Sequence, residues 1–120
     1  MLTRGKTAPV VEMLSGVARK TLAVGERMLM AEFSLEGGSV VPIHQHPHEQ
    51  LGYVISGIQR LTVGEKVFLV EAGDSYYIPG GTPHGSEAIT DSVALDAFSP
   101  PREDYIPAQH CPEREAWHEH

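Results

Sequence analysis

Apolar and polar residues alternate in short stretches along the chain. Turn residues separate these stretches at intervals of roughly ten, the spacing of sandwiches and barrels. Helical periodicity is nearly absent. Met28 to Leu35 places Leu29, Ala31, Phe33 and Leu35 on one face of a strand. Gln50 to Ser56 alternates Leu51, Tyr53 and Ile55 with Gly52, Val54 and Ser56, then turns at Ser56-Gly57 into a strand over Gln59 to Val63. Gly64-Glu65 leads into Lys66 to Val70, and Ala72-Gly73-Asp74 leads into Ser75 to Ile78. Pro79-Gly80-Gly81 makes a further corner, and Ser92 to Phe98 is the last clear strand. With Val10 to Leu14 and Ala18 to Ala23 as earlier strands, eight to ten short strands are expected in one all-β domain. A small antiparallel barrel or jelly roll is the economical architecture, and closure removes exposed edges. From Pro100 onward the pattern stops. Pro100, Pro101, Pro107 and Pro112 exclude regular structure over most of the tail, save a short helix around Glu113 to His118. The expected organisation is a barrel over 1–99 and a tail over 100–120 lying on or near it.

At 120 residues the chain has room for one domain, large enough to bury a core without disulfides. Cys111 is the only cysteine, which excludes an intramolecular disulfide and a thiolate zinc cluster and fits a reducing compartment. The formal net charge of -7 and the lack of a basic run argue against a nucleic-acid partner. No apolar run has signal-peptide or membrane-spanning length, so a cytoplasmic protein without a membrane partner is expected. Seven histidines against one cysteine change the picture toward nitrogen ligands.

The densest chemistry lies in Pro42-Ile43-His44-Gln45-His46-Pro47-His48-Glu49-Gln50, with His84 further along. In an extended chain alternate side chains share a face, so His44 and His46 project together, and a hairpin can bring Gln50 and His84 beside them. Such a set suits one divalent metal of borderline hardness: zinc, nickel, manganese, iron or cobalt. Four protein ligands on a metal that can take six leave positions open for chemistry. His48 shares parity with His44 and His46 but follows Pro47, which points to a supporting or exposed position. His110, His118 and His120 fall in the Pro- and Glu-rich tail as solvated residues. An H-x-H-x-H run taken alone is equally a solvated loop.

Spacing decides the matter. Gly38, five residues, His44-x-His46, three residues, Gln50, six residues and Gly57 match the first motif of the cupin superfamily. Gly73, five residues, Pro79-x-Gly81, two residues and His84 match the second. At background frequencies the four glycines and the proline would coincide roughly once in a million placements. The chain therefore resembles a single-domain cupin over Gly38 to His84, motif one spanning 38–57 and motif two 73–84. The resemblance implies a metal held by His44, His46, His84 and a fourth residue, and a homodimer formed through the N-terminal strand or a sheet face. The fourth position is usually Glu in that family. Here the spacing gives Gln50, with Glu49 one residue early and on the opposite face by strict alternation, unless Pro47 introduces a bulge. Three imidazoles and an amide would leave the metal its full positive charge, suited to an anionic substrate and Lewis-acid chemistry. Ala88 stands where the second motif usually ends in Asn.

After the last strand comes Asp96-Ala97-Phe98-Ser99-Pro100-Pro101-Arg102. Asp96 and Phe98 share a face opposite Val93, Leu95 and Ala97, and two prolines give Arg102 a stiff tether for clamping a carboxylate. Spacing alone favours an ordinary surface Asp96–Arg102 ion pair with Phe98 filling a barrel end. The segment is similar to that of the small cupins of pectin and alginate breakdown, which linearise 4,5-unsaturated monouronates. That resemblance implies Asp96 as acid/base, Arg102 as the carboxylate clamp and Phe98 as a pocket wall. Two other readings of a cupin fit the same motifs, an iron-dependent dioxygenase and a non-catalytic module that binds a small acid.

Overall fold

The structure is a computed structural model and describes residues 1–107. The described residues form ten strands: β1 (Val10–Leu14), β2 (Val17–Val24), β3 (Leu29–Leu35), β4 (Val40–His44), β5 (Glu49–Ser56), β6 (Ile58–Val63), β7 (Lys66–Glu71), β8 (Ser75–Ile78), β9 (His84–Ala88) and β10 (Ser92–Ser99). A 3-10 turn follows at Glu103–Tyr105. Two sheets enclose the interior, one of six strands in the order β1-β2-β3-β10-β5-β8 and one of four in the order β4-β9-β6-β7. Every pairing is antiparallel. This is the all-β jelly roll that the alternation predicts.

Alternation sets which residues face inward. On β10, Ser92, Ala94, Asp96 and Phe98 are buried while Val93, Leu95 and Ala97 are only half-buried. On β5, Gln50, Gly52 and Val54 are buried, and Leu51, Tyr53 and Ile55 lie on the outer face. Leu29, Ala31, Phe98 and Tyr105 form one core cluster, in which Phe98 and Tyr105 meet edge to face at 5.4 Å. Burial of Phe98, 1% exposed, contributes about 1.5–3 kcal/mol. Val54, Leu61 and Val70 form a second cluster between the sheets.

Tyr105 ties the segment after β10 into this core, and its backbone carbonyl accepts a hydrogen bond from Thr21 Oγ1 at 2.6 Å. The expected helix around Glu113 to His118, and His110, His118 and His120, lie outside the described residues. No helix among the described residues is long and apolar enough to cross a membrane.

Two strands differ from the pattern-based expectation. β4 contains Pro42, which an interior strand would not accommodate, but β4 is the edge of its sheet. β9 reads His84-Gly85-Ser86-Glu87-Ala88 and has no apolar alternation, because two of its inward positions, His84 and Ser86, line a cavity.

Candidate metal centre

β4 and β9 pair in register at His44 and His84, with an irregularity just before His44. Two imidazoles far apart in sequence thereby become cross-strand neighbours, their ring centroids 4.3 Å apart. The expectation of a shared strand face for His44 and His46 is corrected here: β4 ends at His44, and His46 lies in the turn that crosses to β5. Gln50 likewise arrives from the facing six-stranded sheet and not from a hairpin with β4. The outcome still converges. His46 sits 4.8 Å from His84 and 5.8 Å from His44 by ring centroid. The candidate ligand atoms of the three lie within 4.8 Å of one another.

The orientation of each ring is fixed by backbone. Nδ1 of His44 meets the Pro42 carbonyl at 2.9 Å, Nδ1 of His46 meets the His48 carbonyl at 3.0 Å, and Nδ1 of His84 meets the Thr82 carbonyl at 2.8 Å. A carbonyl only accepts, so each Nδ1 carries the hydrogen and each neutral ring presents the lone pair of Nε2. Burial and the nearby Arg102 guanidinium push His46 down to about 4, and burial lowers His84. Both rings are therefore neutral at neutral pH. Nε2 of His84 is buried without a partner among the described residues.

Gln50, 8% exposed, supplies a fourth donor. Its Oε1 lies 3.2 Å from Nε2 of His46, where two acceptors face each other. Its amide donates in the other direction, to Asp96. Hydrogen bonds thus turn three nitrogen lone pairs and one oxygen toward a common point, an arrangement that a divalent cation resolves and that hydrogen bonding alone does not. The residues fit a transition metal of borderline hardness. Glu49 does not join them: it is exposed on the outer face and accepts from the Tyr77 hydroxyl at 3.3 Å. Strict alternation along β5 holds at this point.

Beside these rings lies a second polar layer. Asp96 is 5% exposed, and burial pushes its carboxyl up to about 7, against the opposing pull of hydrogen bonds from Tyr76 and Gln50. The Tyr76 hydroxyl donates to Asp96 Oδ1 at 2.7 Å, and burial raises its own pKa well above the ordinary value, so it remains a donor. Gly52 is the cross-strand partner of both residues. A Cβ at Gly52 would overlap the Tyr76 ring and Asp96 Oδ1. The missing side chain makes room for the hydrogen bond.

Arg102 does not pair with Asp96. Its side chain is 13% exposed and donates to Asp104 through Nη2 at 2.9 Å and Nε at 3.3 Å. The guanidinium lies 3.9 Å from the Tyr105 ring centroid and 5.3 Å from that of Phe98. Phe98 packs edge to face on His46 at 5.8 Å. His48 is buried, and its carbonyl orients His46 while its Nε2 lies 3.7 Å from Glu103. A cavity of about 350 Å³ runs between the sheets, lined by His44, Gln50, His84, Asp96, Phe98 and Arg102 among others. Tyr76 and Gln59 also line it and were not singled out by sequence reasoning. Ser75 to Ile78 was legible as a strand, and inward parity shared with Ile78 was the available signal for Tyr76.

A jelly roll with three convergent imidazoles at one corner, two of them lining its cavity, defines a class of small barrels able to hold a metal. The chain belongs to the cupin domain family, whose model matches residues 31–98. The H2HPP isomerase of Bacillus subtilis is 32% identical over 93 residues, which cover 75% of this chain and 39% of that protein. An uncharacterised protein of Methanocaldococcus jannaschii is 35% identical over 66 residues, 54% of this chain and 53% of that protein. The chain thus spans about half or less of these curated relatives. Among solved structures, an RmlC-like cupin from Shewanella frigidimarina superposes with a TM-score of 0.84 at 27% identity, over 88% of this chain and 95% of the other. KdgF from Halomonas sp. superposes with a TM-score of 0.83 at 28% identity, over 88% and 98%.

Proposed function

We propose that this cupin opens and ketonises a 4,5-unsaturated monouronate, with one divalent transition metal held by His44, His46, His84 and Gln50. The observation that carries the reading is Asp96, a buried carboxyl raised to about 7 and held between Tyr76 and Gln50 in the wall of the cavity. The metal, when bound, would supply Lewis acidity toward a substrate oxygen.

As a carboxylate, Asp96 takes the proton of the anomeric hydroxyl. The C1–O5 bond breaks, C1 becomes an aldehyde, and the electron pair is left on the enolate across O5, C5 and C4. Asp96 then returns the proton to C4, and C5 becomes a ketone, so no electron leaves or enters. A group with a pKa near the working pH can serve both steps at small cost. Tyr76 holds the carboxyl in place. Arg102 holds the substrate carboxylate. Its contact with the carboxylate of exposed Asp104 supports this role, in which a substrate would replace Asp104.

The resemblance of Asp96 to Arg102 to the segment of pectin and alginate cupins supports this substrate class, as does the overlap with KdgF. A relative named an isomerase supports chemistry without a redox change. The exposed apolar outer face at Leu51, Tyr53, Ile55 and Tyr77 supports pairing of two copies across a sheet face. The direct test follows the ultraviolet absorbance of unsaturated monogalacturonate and monomannuronate. Absorbance should fall with metal-loaded protein and stay at the blank rate with chelated protein; a blank rate in both overturns the reading.

A further inference from the structure

The cavity has a polar group that the proposed reaction does not use. Gln59 on β6 is 4% exposed, lines the cavity, and has an amide nitrogen with no hydrogen-bond partner among the described residues. Its strand neighbours offer none: Gln59 pairs in register with Ala88 on β9 and with Val70 on β7. Leaving a buried amide donor unpaired is costly, so a strand position between two apolar neighbours is a poor place for it unless something else accepts its hydrogens.

Position along the barrel says what that something is. His84 and Ala88 stand on the same β9, so the register position of Gln59 lies about 13 Å along the strand from the metal corner at about 3.3 Å per residue. Ser86, between them, also lines the cavity. Arg102 lies at the other end: its guanidinium is 5.3 Å from the centroid of the Phe98 ring, which packs on His46 at 5.8 Å. A ligand whose carboxylate sits at Arg102 turns its opposite edge toward Gln59.

We propose that Gln59 is a specificity-determining residue whose amide donates to a ring hydroxyl of the sugar acid on the edge remote from the carboxylate. This rests on the monouronate reading above. The remote edge carries the C2 and C3 hydroxyls, and the unsaturated uronates derived from galacturonate and from mannuronate differ only in configuration at C2. Gln59 therefore sets the preference between them.

The experiment compares wild type with Gln59→Met and Gln59→Leu, both of which remove the donor, on these two substrates and in thermal melting of the metal-loaded protein without substrate. Two variants guard against one that fails to fold. The expected result is a melting temperature equal to or above wild type, because an unpaired amide has been removed. KM for the preferred epimer should rise about tenfold, the loss of one hydrogen bond, while kcat changes less than twofold and the preference between epimers falls toward one. Unchanged KM and unchanged preference overturn the inference. So does a lowered melting temperature in both variants, which would make Gln59 a structural hydrogen-bonding residue. Failure of wild type on both epimers contradicts the monouronate reading instead, and the melting arm then decides whether Gln59 is a free donor.

Discussion

The metal corner and the acid layer lie in one cavity but are built in opposite ways. At the corner each histidine is oriented by a carbonyl two residues away, Pro42 for His44, His48 for His46 and Thr82 for His84. In the acid layer Asp96 is held by side chains from β8 and β5, with Gly52 leaving the space between them. The corner is thus set by local backbone and the layer by long-range packing. Single substitutions in the layer should disturb chemistry and stability together, while substitutions of the corner histidines should act mainly through lost metal and the turnover that depends on it.

The largest effect that would break this contrast is at His84. His84→Ala should abolish stoichiometric metal binding and turnover, while the chelated protein loses only the hydrogen bond from the ring's Nδ1 to the Thr82 carbonyl, about 0.5–1.5 kcal/mol. Elemental analysis with melting in chelator measures both, and full metal content in the variant would sink the ligand assignment. Next is Gly52→Ala, which must push Tyr76 and Asp96 apart. Overpacking of this kind costs about 1–3 kcal/mol, read as a lowered denaturation midpoint together with lost activity. An unchanged midpoint would mean the layer is not tightly packed.

A smaller effect is expected for Tyr76→Phe. The hydroxyl favours the ionised form of Asp96, so its removal should raise the Asp96 pKa above about 7. If Asp96 first acts as a base, activity rises with pH as the carboxyl ionises, and the variant's rising limb should move to higher pH. A limb that stays put or moves down would detach Tyr76 from the proton carrier. The smallest effect is at Glu49, where Glu49→Gln should leave metal content and activity unchanged.

Much of the corner was legible because motif spacing survives whatever strands carry it. The histidines and Gln50 could be named without knowing that His46 leaves β4 or that Gln50 comes from the other sheet. Eight strands announced themselves by apolar alternation. β4 and β9 did not, since an edge proline and inward polar residues erase that signal where a strand serves a cavity. The same erasure hid Gln59. Tyr76 and Gly52 were hidden differently, because their roles arise from register across β8, β5 and β10, a long-range property that no local pattern encodes.

The central claim is that Asp96 moves the proton and that the metal is held without it. It is tested most directly by measuring loss of alkene absorbance by wild type and Asp96→Asn at matched metal content. The account predicts equal metal stoichiometry and a rate in the variant at least a thousandfold lower, about 4 kcal/mol of lost transition-state stabilisation. A variant that keeps its metal and turns over within tenfold of wild type would contradict it.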